Sequence, residues 1–318
     1  MRIKYLDNIS ALMVLYMVFY HVAYWFGLAD STEYHVLYAI FFFFMPWFFF
    51  KAGMFAKEEK ILETVIKGCK GLLIPYLIWG FFSWLVLSFP YYTSQSIWNT
   101  LERICYMLFT RGIISNDNSP LWFLLTLFFV RIIFCMFRKW PNVLMLISVI
   151  CAYLCSIYCN AKNFPLLVAN TFSGLFFYSL GYVLRNYKPD RKTMLLLLVF
   201  FVTCAIYEPS HVDMYINHLQ SGSYILWIIT SVAGIICVNA FFRRFLNKEI
   251  WCLSFIGRYS SICYVTHWPL YYIFVDYNIL KFDVGWIGCM EFLSLLIVLE
   301  IPLMILLKSK VGRVLIGK

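Results

Sequence analysis

The chain has 318 residues, of which 63% are hydrophobic, 21% aromatic and only 13% charged, and its mean hydropathy is +0.78. A soluble domain carries roughly 25% charged residues, so a soluble enzyme is excluded and an all-α integral membrane protein is the class that remains. The net charge of +10 is accounted for by the membrane, as the placement of the basic residues shows below, and calls for no nucleic-acid partner.

A bilayer core needs about 20 apolar residues per helix, and its backbone polar groups must pair within the spanning element. By that rule ten transmembrane helices are expected, at about 7–27, 34–55, 71–90, 119–138, 142–159, 165–185, 193–207, 222–241, 253–275 and 285–307. Met1–Lys4 leads straight into the first of them, so no cleaved leader is expected. No polar linker separates them, which predicts a single domain over 1–318. Eleven cysteines are present. Most, such as Cys151, Cys155 and Cys159, sit in apolar runs without C-x-x-C or zinc spacing, so reduced thiols and no structural metal are expected.

Lysine and arginine gather on the cytoplasmic side of a membrane. Arg2, Lys4, Lys51, Lys57, Lys60, Lys67, Lys70, Arg138, Lys139, Arg185, Lys188, Arg191, Lys192, Arg243, Arg244, Lys248, Lys308, Lys310, Arg313 and Lys318 fall in one set of segments. The other set holds Arg103, Arg111, Lys162 and Lys281, with Arg131 and Arg258 inside spans. Both termini are therefore expected in the cytoplasm. Of the two long outer loops, 91–118 contains WNTLERICYMLF, which reads as an amphipathic helix. The other, EPSHVDMYINHLQSG (208–222), reads as a polar loop whose His211 and His218 are ordinary loop residues.

A single imidazole, His21, interrupts the apolar run ALMVLYMVFYHVAYWFG (11–27). Fourteen residues past Asp7, it lies roughly 21 Å along the helix at ~1.5 Å per residue, in the outer half of the membrane. Asp7, Ser10 and His21 share one face, which should point into the bundle rather than to lipid. The ninth span repeats the feature: in LSFIGRYSSICYVTHWPLYY, His267 lies 14 residues beyond Leu253, on a face with Ser260 and Tyr264 and opposite Arg258. Matched depth suggests a shared polar cavity, although each histidine could equally be a helix-packing residue. The inner half is basic, with Lys51, Lys67, Lys70, Arg131 and Arg258. Such side chains hold phosphates of a nucleotide-like anion or snorkel to lipid headgroups. An anion-binding inner side and a proton acceptor farther out fit group transfer across the membrane. A transporter with a buried proton relay has the same layout, and these residues alone do not separate the two.

Six segments in order carry a family resemblance: YLDNISALMVLYMVFYH (5–21), MPWFFFKAGMF (45–55), KGCKGLLIPYLIW (67–79), SPLWFLLTLF (119–128), FFYSLGYVLR (176–185) and IGRYSSICYVTHWPL (256–270). Over most of its length the chain resembles acyltransferase family 3, the multi-spanning bacterial acyltransferases that modify cell-surface glycans. It departs from the pattern at Ser10, where the family usually has a basic residue eleven positions before the first-span histidine. It departs again at Lys51, where serine is common. Arg2, Lys4, Lys51, Arg131 and Arg258 are candidates to supply the missing charge. The appended hydrolase-like domain of some relatives is not seen.

The resemblance implies a multi-pass protein of the bacterial cytoplasmic membrane that moves an acyl group, most often acetyl, from acyl-CoA (acetyl-CoA) to a sugar hydroxyl. The acceptor would be a cell-surface glycan or a lipid-linked sugar. It makes His21 the expected general base, or a transient acyl carrier, with His267 and Tyr264 orienting it or stabilising the oxyanion. Lys67 and Lys70, with Lys51, Arg131 and Arg258, are the expected coenzyme A phosphate ligands. Trp122, Asp117 and Asn118 mark the expected acceptor side, and no metal is implied. The competing function is export of an envelope glycan precursor without acyl turnover. The sequence leaves room for a homo-oligomer without specifying one.

Overall fold

The computed structural model describes residues 3–88, 97–158, 165–207 and 209–306, with Ser309, Gly312 and Leu315 of the tail. Arg2, Cys159, Lys162, Glu208, Lys308, Lys310, Arg313 and Lys318 fall outside the described residues, as do the ends of the third, fifth and tenth expected spans. Among the described residues helix dominates, and eight helical stretches are long and apolar enough to cross a membrane.

The first stretch is α1, Lys4–Trp25. The second is α2 (Thr32–Phe41) and α3 (Phe44–Met54), joined through a break at Phe42 and Phe43. Pro46 causes the break, because it offers no N–H to the Phe42 carbonyl four residues back. The third is longer than the expected 71–90. Its basic entry is already helical as α4 (Ile61–Gly68), and wider π turns at Cys69–Leu73 and Trp84–Ser88 flank α5 (Ile74–Ser83). The amphipathic outer segment forms α6, Ile97–Arg111. A 3-10 turn at Asn116–Leu121 then leads into α7 (Trp122–Phe137), followed by α8 (Pro141–Tyr158) and α9 (Leu166–Leu184). The remaining long stretches are α11 (Tyr224–Phe245) and α14 (Trp286–Leu306).

The expected runs 193–207 and 253–275 are not among those eight. The first is α10, Arg191–Tyr207, of 17 residues. The second is broken at Tyr259 into α12 (Trp251–Arg258) and α13 (Ser260–Tyr271), ending in a π turn at Tyr272–Asp276.

The segment expected as an outer loop is instead a hairpin, β1 (His211–Asp213) against β2 (His218–Ser221), with Val212 opposite Leu219 and Asp213 opposite His218. Asn217 closes its turn at φ 48°, a left-handed conformation that asparagine tolerates better than most residues. Its side chain anchors the turn in the bundle. Oδ1 accepts from Ser173 Oγ (2.5 Å) and Tyr224 Oη (2.7 Å), while Nδ2 donates to the Ala152 carbonyl at 2.9 Å. Nearby, Asn170 Nδ2 donates to the Tyr215 carbonyl at 3.0 Å. A β pattern this short, tied down by side chains on three other helices, has no period that sequence reading could detect.

Small residues set the helix crossings. A Cβ at Gly53 would lie 1.9 Å from the Tyr178 carbonyl oxygen, and one at Gly181 would lie 2.0 Å from that of Phe50, so α3 and α9 meet backbone to backbone. Gly257 does the same for α12 on α1, where a Cβ would sit 1.8 Å from the Asp7 carbonyl oxygen. Because α1 carries His21, that crossing fixes where the imidazole lies. Gly257→Val is expected to cost at least the ~1–3 kcal/mol typical of overpacking, since backbone rather than a flexible side chain must give way. A lowered thermal midpoint in detergent would register it; an unchanged midpoint would disprove the close crossing.

Candidate active site

The two membrane histidines meet. His21 Nδ1 and His267 Nε2 are 3.0 Å apart, their rings are within 6° of parallel, and His267 Nδ1 is 2.8 Å from the Cys263 carbonyl oxygen. A carbonyl can only accept, so His267 carries its proton on Nδ1. With both rings neutral, its Nε2 is then a lone pair, and His21 must donate from Nδ1 to complete the contact. The chain of hydrogen bonds therefore leaves the lone pair of His21 on Nε2. His267 is fully buried, whereas His21 reaches a cavity of about 460 Å³. Nε2, the nitrogen not engaged by His267, is thus the basic one on a residue that lines the cavity.

Sequence explains why α13 can hold this position. Pro269, two residues after His267, lacks the N–H that would bond the Val265 carbonyl. Asn118 fills the gap, its Nδ2 donating to Val265 O at 3.0 Å and to Ser83 Oγ at 3.1 Å. Glu300, buried on α14, accepts from Thr266 Oγ1, on the neighbouring residue, at 3.2 Å. The helix is thus pinned at the two residues immediately before His267. Trp268 packs edge-on to His21 with ring centroids 5.0 Å apart, and Trp25 lies 4.7 Å from Trp268. Tyr264 also lines the cavity, and its hydroxyl, beside the Phe123 backbone, makes no hydrogen bond of good geometry among the described residues.

The expected acceptor residues separate. Trp122 lines the same cavity as His21, along with Ser119 and Pro120. Asn118 is buried in the role just described. Asp117 accepts from the Ser88 and Ser115 hydroxyls and faces a second, smaller cavity of about 130 Å³ that also contains Arg103.

The basic residues separate too. Lys51 Nζ donates to Ser10 Oγ at 2.5 Å and stands 5.5 Å from the centre of the Trp47 ring. The charge thus sits at the first-span position where the sequence has serine. Lys67 pairs with Glu59 at 2.6 Å, and the Lys67 ammonium holds that carboxyl below its ordinary range. Arg131 lies beside Glu59 and Tyr178, and Arg138 Nη1 donates to the Glu59 carbonyl at 2.5 Å. Lys67 and Arg131 are therefore gathered around Glu59, Lys70 is exposed, and Arg258 is engaged elsewhere, with Glu249 at 2.7 Å. Partners such as Glu59 and Glu249 lie in short loops, where helix phase gives no information.

The hairpin residues His211, Asp213 and Gln220 form a wall of the cavity that sequence reading did not assign. His211 stacks on Tyr38 with ring centroids 4.1 Å apart. Burial, then the nearby His35, lowers the His211 imidazole to about 4, and burial raises the Asp213 carboxyl above its ordinary range. The only sequence signal was two histidines and an aspartate in an otherwise unremarkable loop.

The sequence model of acyltransferase family 3, described as an acyltransferase domain, matches residues 3–306. No curated protein and no solved structure matches the chain.

Proposed function

The chain belongs to acyltransferase family 3, and from that premise we propose that it transfers an acyl group, in the first instance acetyl, from cytoplasmic acyl-CoA to a sugar hydroxyl of the cell envelope. In this reading the protein lies in the bacterial cytoplasmic membrane. The 17-residue α10 and the broken α12–α13 also cross it, giving ten spans with both termini inside. The observation that carries the reading is the hydrogen-bond chain from the Cys263 carbonyl through His267 to His21, which leaves a basic Nε2 on a histidine that lines the cavity.

The chemistry follows from that nitrogen. An acceptor hydroxyl in the cavity attacks the thioester carbonyl as His21 Nε2 takes its proton. A C–O bond forms, the tetrahedral oxyanion collapses, the C–S bond breaks, and the imidazolium returns the proton to the departing thiolate. His267 Nε2 accepts the His21 Nδ1 proton throughout, which keeps the ring oriented and eases the positive charge that develops on it. The Tyr264 hydroxyl, on a residue that lines the same cavity, is the donor we assign to the oxyanion. Position 10, where Lys51 delivers its charge, is eleven residues before His21, or ~17 Å along α1 at ~1.5 Å per residue. A phosphate held there leaves the long flexible arm of coenzyme A to extend toward the imidazole. Lys67 and Lys70, nearer the inner surface, would meet the remaining phosphates.

Membranes containing the chain and its native envelope glycan, incubated with acetyl-CoA labelled in the acetyl group, should yield labelled glycan. Movement of a glycan precursor across the membrane with no acyl turnover would instead establish export.

A further inference from the structure

Twenty-four of the described residues line the His21 cavity, and among these there is no lysine or arginine. Asp213 is the one carboxylate among the described lining residues. It is held in place by the hairpin, with Oδ1 accepting the Tyr215 amide at 2.9 Å, and it lies within electrostatic reach of Tyr20 and Tyr38. The other polar side chains include tyrosine and serine hydroxyls, His35, and Gln220 at the exposed rim. His211 stays uncharged at neutral pH for the reason given above. Arg111 stands outside the lining, its guanidinium beside the Tyr215 hydroxyl and donating to Asn116 Oδ1 at 3.4 Å. Flat aromatic faces complete the walls, with Tyr38 against His211 and Tyr20 stacked on Tyr34 at 5.2 Å.

We infer that the hairpin 211–221 is the element that selects the acceptor, and that the cavity takes an uncharged sugar ring while rejecting an acidic one. A neutral ring lays its C–H faces on the aromatic walls and offers hydroxyls to Asp213, His211 and Gln220. A carboxylate or phosphate on the same ring would enter a space of low polarity that already holds Asp213 and offers no lysine or arginine among its described lining residues. That arrangement is a repulsive element against anions, which adds to the discrimination that attractive contacts provide. The wall is pre-formed, because Asn217 and Asn170 anchor the hairpin in α8, α9 and α11. Selectivity therefore requires no closure of a lid.

This inference rests on the reading of the cavity as the acceptor site, but its test needs no turnover. Trp25, Trp122, Trp227 and Trp268 line the cavity, so binding can be followed by tryptophan quenching in the full-length protein in detergent. The probes are maltotetraose and the same oligosaccharide oxidised at its primary hydroxyls to carboxylates, compared at low ionic strength. The neutral probe should bind at least tenfold more tightly. Asp213→Asn should narrow that preference by weakening rejection of the acidic probe, and Gln220→Lys, at the exposed rim where folding is not at risk, should narrow it further. Equal or tighter binding of the acidic probe, binding of neither, or a preference unmoved by Gln220→Lys would overturn the inference. None of those results touches the acyl-transfer assay, and a failed transfer assay would leave this binding result standing.

Discussion

Replacing His21 by alanine is expected to lower acyl transfer by the ~10²–10⁴-fold typical of losing a general base, with the Michaelis constant for the donor nearly unchanged. The split follows from the proposed roles: His21 would meet the reacting atoms, whereas the charge proposed to hold phosphate is delivered at Ser10, about three turns away at 3.6 residues per turn. Alanine alone is an imperfect probe, because it also strips His267 Nε2 of its donor and leaves a buried acceptor unsatisfied. His21→Asn separates the two effects. The asparagine amide nitrogen occupies nearly the place of Nδ1 and can still donate to His267, but it has no basic atom at the Nε2 position. Asn and Ala variants should therefore be about equally inactive, while the Asn variant keeps more of the wild-type thermal midpoint. An active Asn variant would mean that orientation of His267, not basicity of His21, is what the reaction needs.

How much of this was legible beforehand differs from one feature to the next, for physical reasons. Membrane class, the long apolar helices and the amphipathic α6 follow from hydropathy and the helical period, which are local properties. The matching height of His21 and His267 was also readable, because rise per residue converts position into distance. Their contact was not, since helix phase gives a face and not the neighbour on it. The break between α12 and α13 at Tyr259 was missed because the short polar stretch Arg258–Ser261 sits inside an apolar run long enough to read as one span. Asn118 was read as a substrate ligand from its polar surroundings. Its placement depends on a carbonyl that Pro269 strips of a partner 147 residues away, a relation with no one-dimensional trace. Likewise the hairpin owes its form to Asn217 bonding three other segments.

The Lys51–Ser10 contact gives the second large effect. Charge-assisted hydrogen bonds contribute ~1.5–3 kcal/mol, or about 10–150-fold in binding, so Lys51→Ala should raise the acyl-CoA Michaelis constant at least tenfold while kcat falls little. A lysine that only snorkels to headgroups would leave both unchanged. The decisive variant is the exchange. Because Lys51 Nζ is bonded to the Ser10 hydroxyl, the ammonium reaches the same point in space from either helix. Ser10→Lys combined with Lys51→Ser should therefore recover most of the donor affinity that Lys51→Ser alone removes. It would also restore the order of residues usual in the family the chain resembles. In free-energy terms the two changes should be strongly non-additive, as expected for side chains in direct contact. If the exchanged protein stays as defective as Lys51→Ser, the charge is needed on α3 itself, and the donor must be read from that helix rather than from the α1–α3 junction. Recovery would place the phosphate site at that junction, on the same helix as His21, and would fix the length of donor that can reach the imidazole.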